Sequence, residues 1–405
     1  MQVIVKCLLV GTLCTLPFAS GVARVETPED LAVSPKQAEV SRKVSDIIAR
    51  FHYSRQRIDN SLSSAILDRY LDTLDGNRMY FLASDVSRFS RHRYELDERV
   101  RSGELQPIFD VFNEYRKRTG ERVEYALSLL ADEPEFTSEE KYQFDRSELA
   151  WPITVEELNE VWRKRVKNDG LSLMLTGKTW EESAEVLEKR YTRMQKRVMQ
   201  ITSEDVFETF MNSYAHTLDP HSSYLSPRHS EEYRIQMSLS YDGIGASLQL
   251  EDDYVTVMEV IIGGPAHLDG QLKKQDRIVA VGQGDGTELV DVIGWRLDDV
   301  VQLIRGPSGS PVHLQILPEA ALPGSGEKIV TLVRDKVKLE AQAAKKEIIT
   351  LPDQDSDKKV GVITVPSFYQ DYAARSRGDE NYTSTTSDVR RLIGELETEG
   401  VAGLI

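Results

Sequence analysis

Hydrophobic periodicity changes once along this chain, near residue 238, and that change constrains the fold more than any other feature. From about residue 36 to 235 the apolar residues recur at helical spacing. Val40, Val44, Ile47, Ile48 and Phe51 fall at i, i+4, i+7, i+8 and i+11, one stripe of an amphipathic helix. Leu187, Tyr191, Met194 and Val198 repeat the pattern, with Glu, Lys and Arg on the opposite face. Both stripes are expected to pack into a core. Thr202, followed three residues on by Asp205, marks a helix start ahead of Val206, Phe210, Met211 and Tyr214. Asp75-Gly76-Asn77 marks a turn. No long alternating run suggests a sheet in this stretch, and no repeat of fixed period stands out.

Beyond residue 238 the period is two. Strand patterns occupy Ser247–Leu250, Tyr254–Ile262, Arg277–Val281 and Val312–Leu317, separated by glycine-rich turns, with one short helix from Leu297 to Arg305. Glu319 to Lys328 reads as a loop. Then both periods mix: strands at Ile329–Val333, Val337–Leu339 and Val360–Val365, a helix from about Ser387 to Glu399, and an apolar strand starting at Val401. Strand, helix, strand is the opening of an α/β unit whose parallel strands need further partners. An unpaired apolar strand at a terminus is an aggregation hazard, so Ile405 is read as an artificial end. The expected fold class is multidomain α+β. An all-α domain spans 24–235, a β-rich module 238–318, and an incomplete α/β core 319–405.

Length agrees, since 405 residues imply two or three domains. The chain is 40% apolar and 29% charged, a globular balance. Its net charge of −16 argues against a nucleic-acid partner. Residues 1–23 read as a cleaved export signal: Lys6, an apolar run from Cys7 to Phe18 too short to span a membrane comfortably, then Gly21-Val22-Ala23. Leu13 before Cys14 argues against a lipid anchor. Both cysteines, Cys7 and Cys14, lie in that segment, so the mature chain has no disulfide, thiol nucleophile or thiolate metal site. The expected location is the periplasm, free or peripheral to the inner membrane, with no transmembrane anchor in the mature chain.

Several kinds of chemistry lack their motifs. There is no Gly-x-Ser-x-Gly, His-Glu-x-x-His or phosphate loop. Gly282-Gln283-Gly284-Asp285-Gly286 lacks the strand-to-helix setting of a dinucleotide site and reads as a turn. His216, His221 and His229 lie around Asp219 at spacings that fit no tight ligand pair, so no metal is expected. Ser308, in Gly306-Pro307-Ser308-Gly309, is a turn residue with no base near it in sequence. No cofactor is expected.

The informative stretch is 242–317. Asp242-Gly243-Ile244-Gly245-Ala246 runs directly into a strand, and its two glycines let successive backbone N–H groups turn inward into an anion nest. A peptide's free carboxylate would fit there, with its chain added to the strand at Ser247–Leu250. Leu297, Val301 and Ile304, at i, i+4 and i+7, line one helix face and would form an apolar pocket for the last side chain. Gly263-Gly264-Pro265-Ala266 sets a turn and a helix start with Pro at N1.

In their order these pieces resemble a PDZ domain, and more closely that of the carboxy-terminal processing (tail-specific) proteases. Gly243-Ile244-Gly245-Ala246 is similar to that family's carboxylate-binding loop. Gly264-Pro265-Ala266, Leu272 to Ile278 and Arg305-Gly306-Pro307-x-Gly309 match its later landmarks. Leu218 to Pro227 resembles the segment that joins helical domain to PDZ in the long branch, and Val290 to Val301 is similar over a dozen residues. Gly361 to Tyr369 resembles the first strand of the protease core. One departure is Gln275 before Asp276, where the family has Gly; a left-handed non-glycine residue costs roughly 1 kcal/mol.

The resemblance implies a serine endopeptidase with a Ser–Lys dyad, the neutral lysine taking the serine proton. It assigns those residues beyond Ile405, so no residue here receives a catalytic role and this length of chain is expected to be inactive. The implied substrate-tail contacts are Gly243, Ile244, Gly245, Ala246, Leu297, Val301 and Ile304. The implied partners are C-terminal tails of exported proteins, with a lipoprotein adaptor on the helices left open. The alternative is a non-catalytic PDZ adaptor that captures protein C-termini. A trypsin-like protease with a trailing PDZ does not fit the 200 helical residues that precede the module.

Overall fold

The structure, a computed structural model, describes residues 29–284, 288–319, 321, 326–352 and 358–405, without the Glu340 side chain. Residues 1–23, read from the sequence as an export signal, lie outside the described residues, as do Asp285, Gly286 and half of the loop from 319 to 328. The chain divides into two compact units, one up to Asp219 and one from Pro220 onward.

The first unit is helical: α1 (Pro35–Phe51), α2 (Asn60–Asp75), α3 (Ala83–Phe89), α4 (Leu96–Ser102), α5 (Gln106–Ser128), α6 (Val155–Met174), α7 (Trp180–Met199) and α8 (Ser203–Leu218). Several helices begin on side chains that satisfy their free N-terminal amides. At α8, Thr202 and Asp205 form a reciprocal capping box; Thr179 and Glu182 do the same for α7. One core gathers Met79, Val123, Leu158, Trp162, Leu187 and Tyr191 from α5, α6, α7 and the segment after α2. The α7 stripe is thus buried as expected, with Met194 packed at its edge.

The α1 stripe behaves differently. Ile47 is 56% and Phe51 77% exposed, while Ser41 and Ser45 on the neighbouring face are fully covered. Close approach explains this. A Cβ on Gly103 just after α4 would lie 2.6 Å from the Ala38 carbonyl oxygen, so only a face of small residues fits there. Ser41 Oγ donates to the Val100 carbonyl at 2.8 Å. Backbone proximity and a hydrogen bond outweigh hydrophobic patterning in choosing the buried face of α1.

Asp75 turns out to be more than a turn residue. It is 2% exposed, and its carboxylate accepts from the amides of Met79 (2.6 Å), Tyr80 (3.1 Å) and Phe81 (3.0 Å) and from Trp151 Nε1 (3.0 Å). One side chain therefore organises the exit from α2.

The second unit opens with α9 (Pro227–Ser238) and β1 (Ser240–Gly243). Next come β2 (Ala246–Glu251), β3 (Tyr254–Val260), α10 (Pro265–Asp269), β4 (Arg277–Gln283), β5 (Leu289–Asp291), α11 (Leu297–Ile304), β6 (Pro311–Leu317), β7 (Lys328–Val333) and β8 (Asp335–Lys338). A sheet ordered β2-β3-β4-β6-β7, with β5 beside β4, is antiparallel throughout. Val257, Ile278, Val300, Leu314 and Val330 fill its core. Alternation explains the burial: in β6, Val312, Leu314 and Ile316 point inward while His313 and Gln315 do not. Gln275 sits at φ 69°, the left-handed geometry expected of a position that favours glycine.

β1 does not join that sheet but pairs antiparallel with β8, Ser240 opposite Lys338 and Gly243 opposite Asp335. The remaining segment holds β9 (Lys345–Leu351), β10 (Lys358–Thr364), α12 (Tyr372–Ser376), α13 (Thr385–Thr398) and β11 (Gly403–Leu404). β10 and β11 are parallel and joined through α13, the strand–helix–strand unit foreseen. The last strand is shorter than expected and pairs on one side, with β10, at the edge of its sheet. The fold class is thus mixed α+β, with a helical region followed by a β-rich module.

Candidate functional site

The site grows out of the end of β1. Gly243, Ile244 and Gly245 are buried and Ala246 half-buried, where the chain leaves its ribbon with β8 and turns into β2. Gly245 has φ +76°, a conformation that costs a side-chain-bearing residue energy. An added Cβ there would also stand 3.1 Å from Gly264 Cα, so the loop and the turn before α10 touch backbone to backbone.

That contact orients the peptide groups. Ile244 carbonyl accepts from Ala266 N–H at 2.8 Å, and Gly245 carbonyl from Ile261 N–H at 2.8 Å. Neither the Ile244 nor the Gly245 N–H donates to a backbone carbonyl among the described residues. Carbonyls tied inward and amides left over is the arrangement of an anion nest. Ile244 itself is 3% exposed and anchors the loop in the module core.

Beside the loop lies a hollow of about 210 Å³ lined by Ile244, Ala246, Leu248, Val301 and Ile304 together with Tyr241, Ser247 and Arg305. It is smaller than small-molecule pockets of about 300–1,000 Å³, and nearer the scale of one or two side chains. β2 flanks it and pairs only with β3, so its other edge is open among the described residues. The cleft is open rather than filled by the protein's own side chains. Of the residues foreseen, Ile244, Ala246, Val301 and Ile304 meet around the hollow, and Gly243 and Gly245 shape its loop. Leu297 does not line it. Seven residues of helix carry Leu297 roughly 10 Å from Ile304, and it packs half-buried on the core instead.

Sequence reasoning missed Tyr241 and Arg305. Arg305 ends α11, pairs with Glu232 of α9, and lies over the Tyr241 ring at 5.5 Å from its centroid. Burial pushes the Tyr241 phenol up, and the Arg305 charge works against that rise. Arg228 of α9 adds looser pairs to Asp298 (3.7 Å) and Asp299 (3.8 Å) in the first turn of α11. Both missed residues also line a larger, strongly charged hollow of about 550 Å³. The Arg305-Gly306 landmark was visible in the sequence, but the approach of α9 was not.

Elsewhere, Ser308 Oγ donates to Asp335 Oδ1 at 2.8 Å, a turn contact. Asp219 faces the His52 ring, with Nε2 3.6 Å from Oδ2. No group of three or more His, Cys, Asp or Glu gathers as a metal site among the described residues. No helix among them is long and apolar enough to cross a membrane.

Comparison with known proteins agrees with this architecture. Residues 44–228 match the tail specific protease N-terminal domain, and residues 232–317 match the PDZ domain. A tail-specific protease of Haemophilus influenzae is 37% identical over 383 residues, 93% of this chain and 52% of that protein. The carboxy-terminal processing protease CtpA of Bacillus subtilis is 24% identical over 56% of this chain and 42% of its own length. A solved PDZ domain of a carboxy-terminal protease from Vibrio cholerae, in complex with peptide, is 54% identical; it covers 25% of this chain and all of that one, with a TM-score of 0.24. The chain spans about half the length of the Haemophilus protein it matches. With a helical domain of this type leading into a PDZ domain, the chain belongs to the tail-specific, or carboxy-terminal processing, protease family.

Proposed function

We propose that this chain is the N-terminal portion of a periplasmic serine endopeptidase whose PDZ module grips the free C-terminus of exported proteins and gates their proteolysis. One observation carries the reading: two amides without backbone acceptors, Ile244 and Gly245, stand at the head of an open-edged strand beside a hollow into which Ile244, Leu248, Val301 and Ile304 contribute apolar lining. A terminal carboxylate would take the amides, the preceding backbone would add to β2, and the last side chain would enter between Val301 and Ile304. Leu297, two helical turns back, would meet a residue two or three places before the end. Export through residues 1–23 and a domain layout of helical region, PDZ and protease core complete the proposal. The Ser–Lys dyad is assigned outside residues 1–405, so this length of chain is expected to cleave nothing alone.

The test compares a fluorescent peptide ending in a free Ala or Val with the same peptide amidated at its C-terminus. Charged hydrogen bonds of about 1.5–3 kcal/mol predict a loss of roughly 10- to 100-fold on amidation. Equal affinity for the two peptides would refute carboxylate capture. Cleavage of a protein substrate by purified residues 24–405, surviving contaminant controls, would refute the assignment of the dyad.

A further inference from the structure

The wall and the floor of this groove come from different parts of the sequence, and one buried cation joins them. Arg334 lies between β7 and β8 and is 2% exposed. All five of its guanidinium N–H groups are used. Nε donates to the Ile304 carbonyl (2.7 Å), Nη1 to Ser310 Oγ (3.0 Å) and the Pro311 carbonyl (3.0 Å), and Nη2 to Gln283 Oε1 (2.7 Å) and the Leu303 carbonyl (3.0 Å). No carboxylate pairs with it among the described residues. Burial without a counter-charge disfavours the charged form, and its pKa is lowered accordingly.

The two carbonyls on α11 are of the kind a helix leaves unsatisfied at its C-terminal end, where a cation also meets the helix dipole favourably. Ile304, whose carbonyl is held, lines the hollow beside the glycine loop. On the other side, Arg334 leads straight into β8, the partner of β1, and β1 runs into Gly243. Gly306 closes over the guanidinium: a Cβ there would stand 3.0 Å from Arg334 Nε. A planar five-donor fork fits this set of acceptors, and a lysine with three donors does not.

We propose that Arg334 is a positioning residue for the peptide groove, fixing the end of α11 against the β1–β8 ribbon and so setting the size of last side chain the hollow accepts. This rests on the groove being a peptide site. The clamp touches no ligand and acts through Ile304 and the ribbon.

The test uses purified residues 24–405 with Arg334→Lys and, as a milder variant, Gln283→Leu, which removes one of the five acceptors. Dissociation constants are measured for four peptides identical except for a final Ala, Val, Leu or Phe, each with a free carboxylate. A merely structural role lowers the folded fraction and weakens all four peptides by one common factor. The clamp predicts a changed ratio, with Phe gaining on Val by about tenfold in Arg334→Lys, the scale on which apolar pockets distinguish small changes in side-chain size. Gln283→Leu shifts the ratio in the same direction by less, and decides the matter if the lysine variant does not fold. Unchanged ratios in the folded variants overturn the clamp alone. Failure of the wild-type chain to bind any of the four overturns the groove reading and this inference with it.

Discussion

Gly245→Ala perturbs the nest without touching the hollow, and its cost can be worked out against a control. Gly263, at φ +81°, has no neighbour within 4 Å of an added Cβ, whereas at Gly245, φ +76°, the added carbon meets Gly264 Cα at 3.1 Å and Val337 Cγ2 at 3.5 Å. Both substitutions incur a left-handed strain of roughly 1–2 kcal/mol. Only Gly245→Ala adds a clash with backbone that cannot swing away, roughly 1–3 kcal/mol more by analogy with overpacked cores. Relief of that clash separates the loop from the turn before α10 and stretches the bonds Ala266 N–H to Ile244 and Ile261 N–H to Gly245, both 2.8 Å. Hydrogen exchange of β3 and β4 amides reads the opening free energy of the module without interference from the helical unit. Gly245→Ala should lose protection roughly 5- to 150-fold beyond Gly263→Ala. It should also weaken a free-carboxylate peptide more than it weakens the amidated one. Equal protection in the two variants, or peptide binding that ignores the substitution, would show that the close approach does not shape the loop.

Three further expectations concern the helical unit. Asp75→Ala strands three amides and an indole N–H in a buried place, so a loss of roughly 3–5 kcal/mol is expected, read by urea unfolding; a loss under about 1 kcal/mol would contradict the organising role. On α1, Ile47→Ser should change stability by less than about 0.5 kcal/mol while Ser41→Leu costs about 1–3 kcal/mol, the reverse of what hydrophobic patterning predicts. Hydrogen bonds from Arg163 and Lys167 hold the Glu140 carboxyl down at about 2, against an ordinary 4.5. A depressed carboxyl stabilises the fold fully above its unfolded value, so this contact is complete at neutral pH and fades as pH falls from about 4.5 toward 2. Protease nicking between α5 and α6 should rise over that window in the wild type and already be high at pH 7 in Glu140→Gln; identical profiles would refute the link.

Much of the fold was legible because burial and backbone geometry usually agree with pattern. Leu187, Tyr191 and Val198 sit where a helical stripe puts them, and Val312, Leu314 and Ile316 where alternation does. Pattern failed on α1 because the deciding quantity there is interaxial distance, set by Gly103 and two serines, which no hydropathy profile contains. At the candidate site the glycine loop and two of the three helix residues were readable from local spacing. Tyr241, Arg305 and Arg334 were not, since each acts through partners far away in sequence: Glu232 lies 73 positions from Arg305, and Ile304 30 from Arg334. The strands β1, β5 and β9 escaped notice as well; each is short or, like Lys345–Leu351, mostly exposed, so alternation left little trace.

The register of β2 against β3 slips between Ser247 and Leu248. Such an irregularity bends an edge strand and spoils the flat template along which foreign strands stack into aggregates. Only a brief straight stretch of β2 next to the glycines remains before the bend. Under the proposed function, a receptor built that way would pair with the final few residues of a chain and little else.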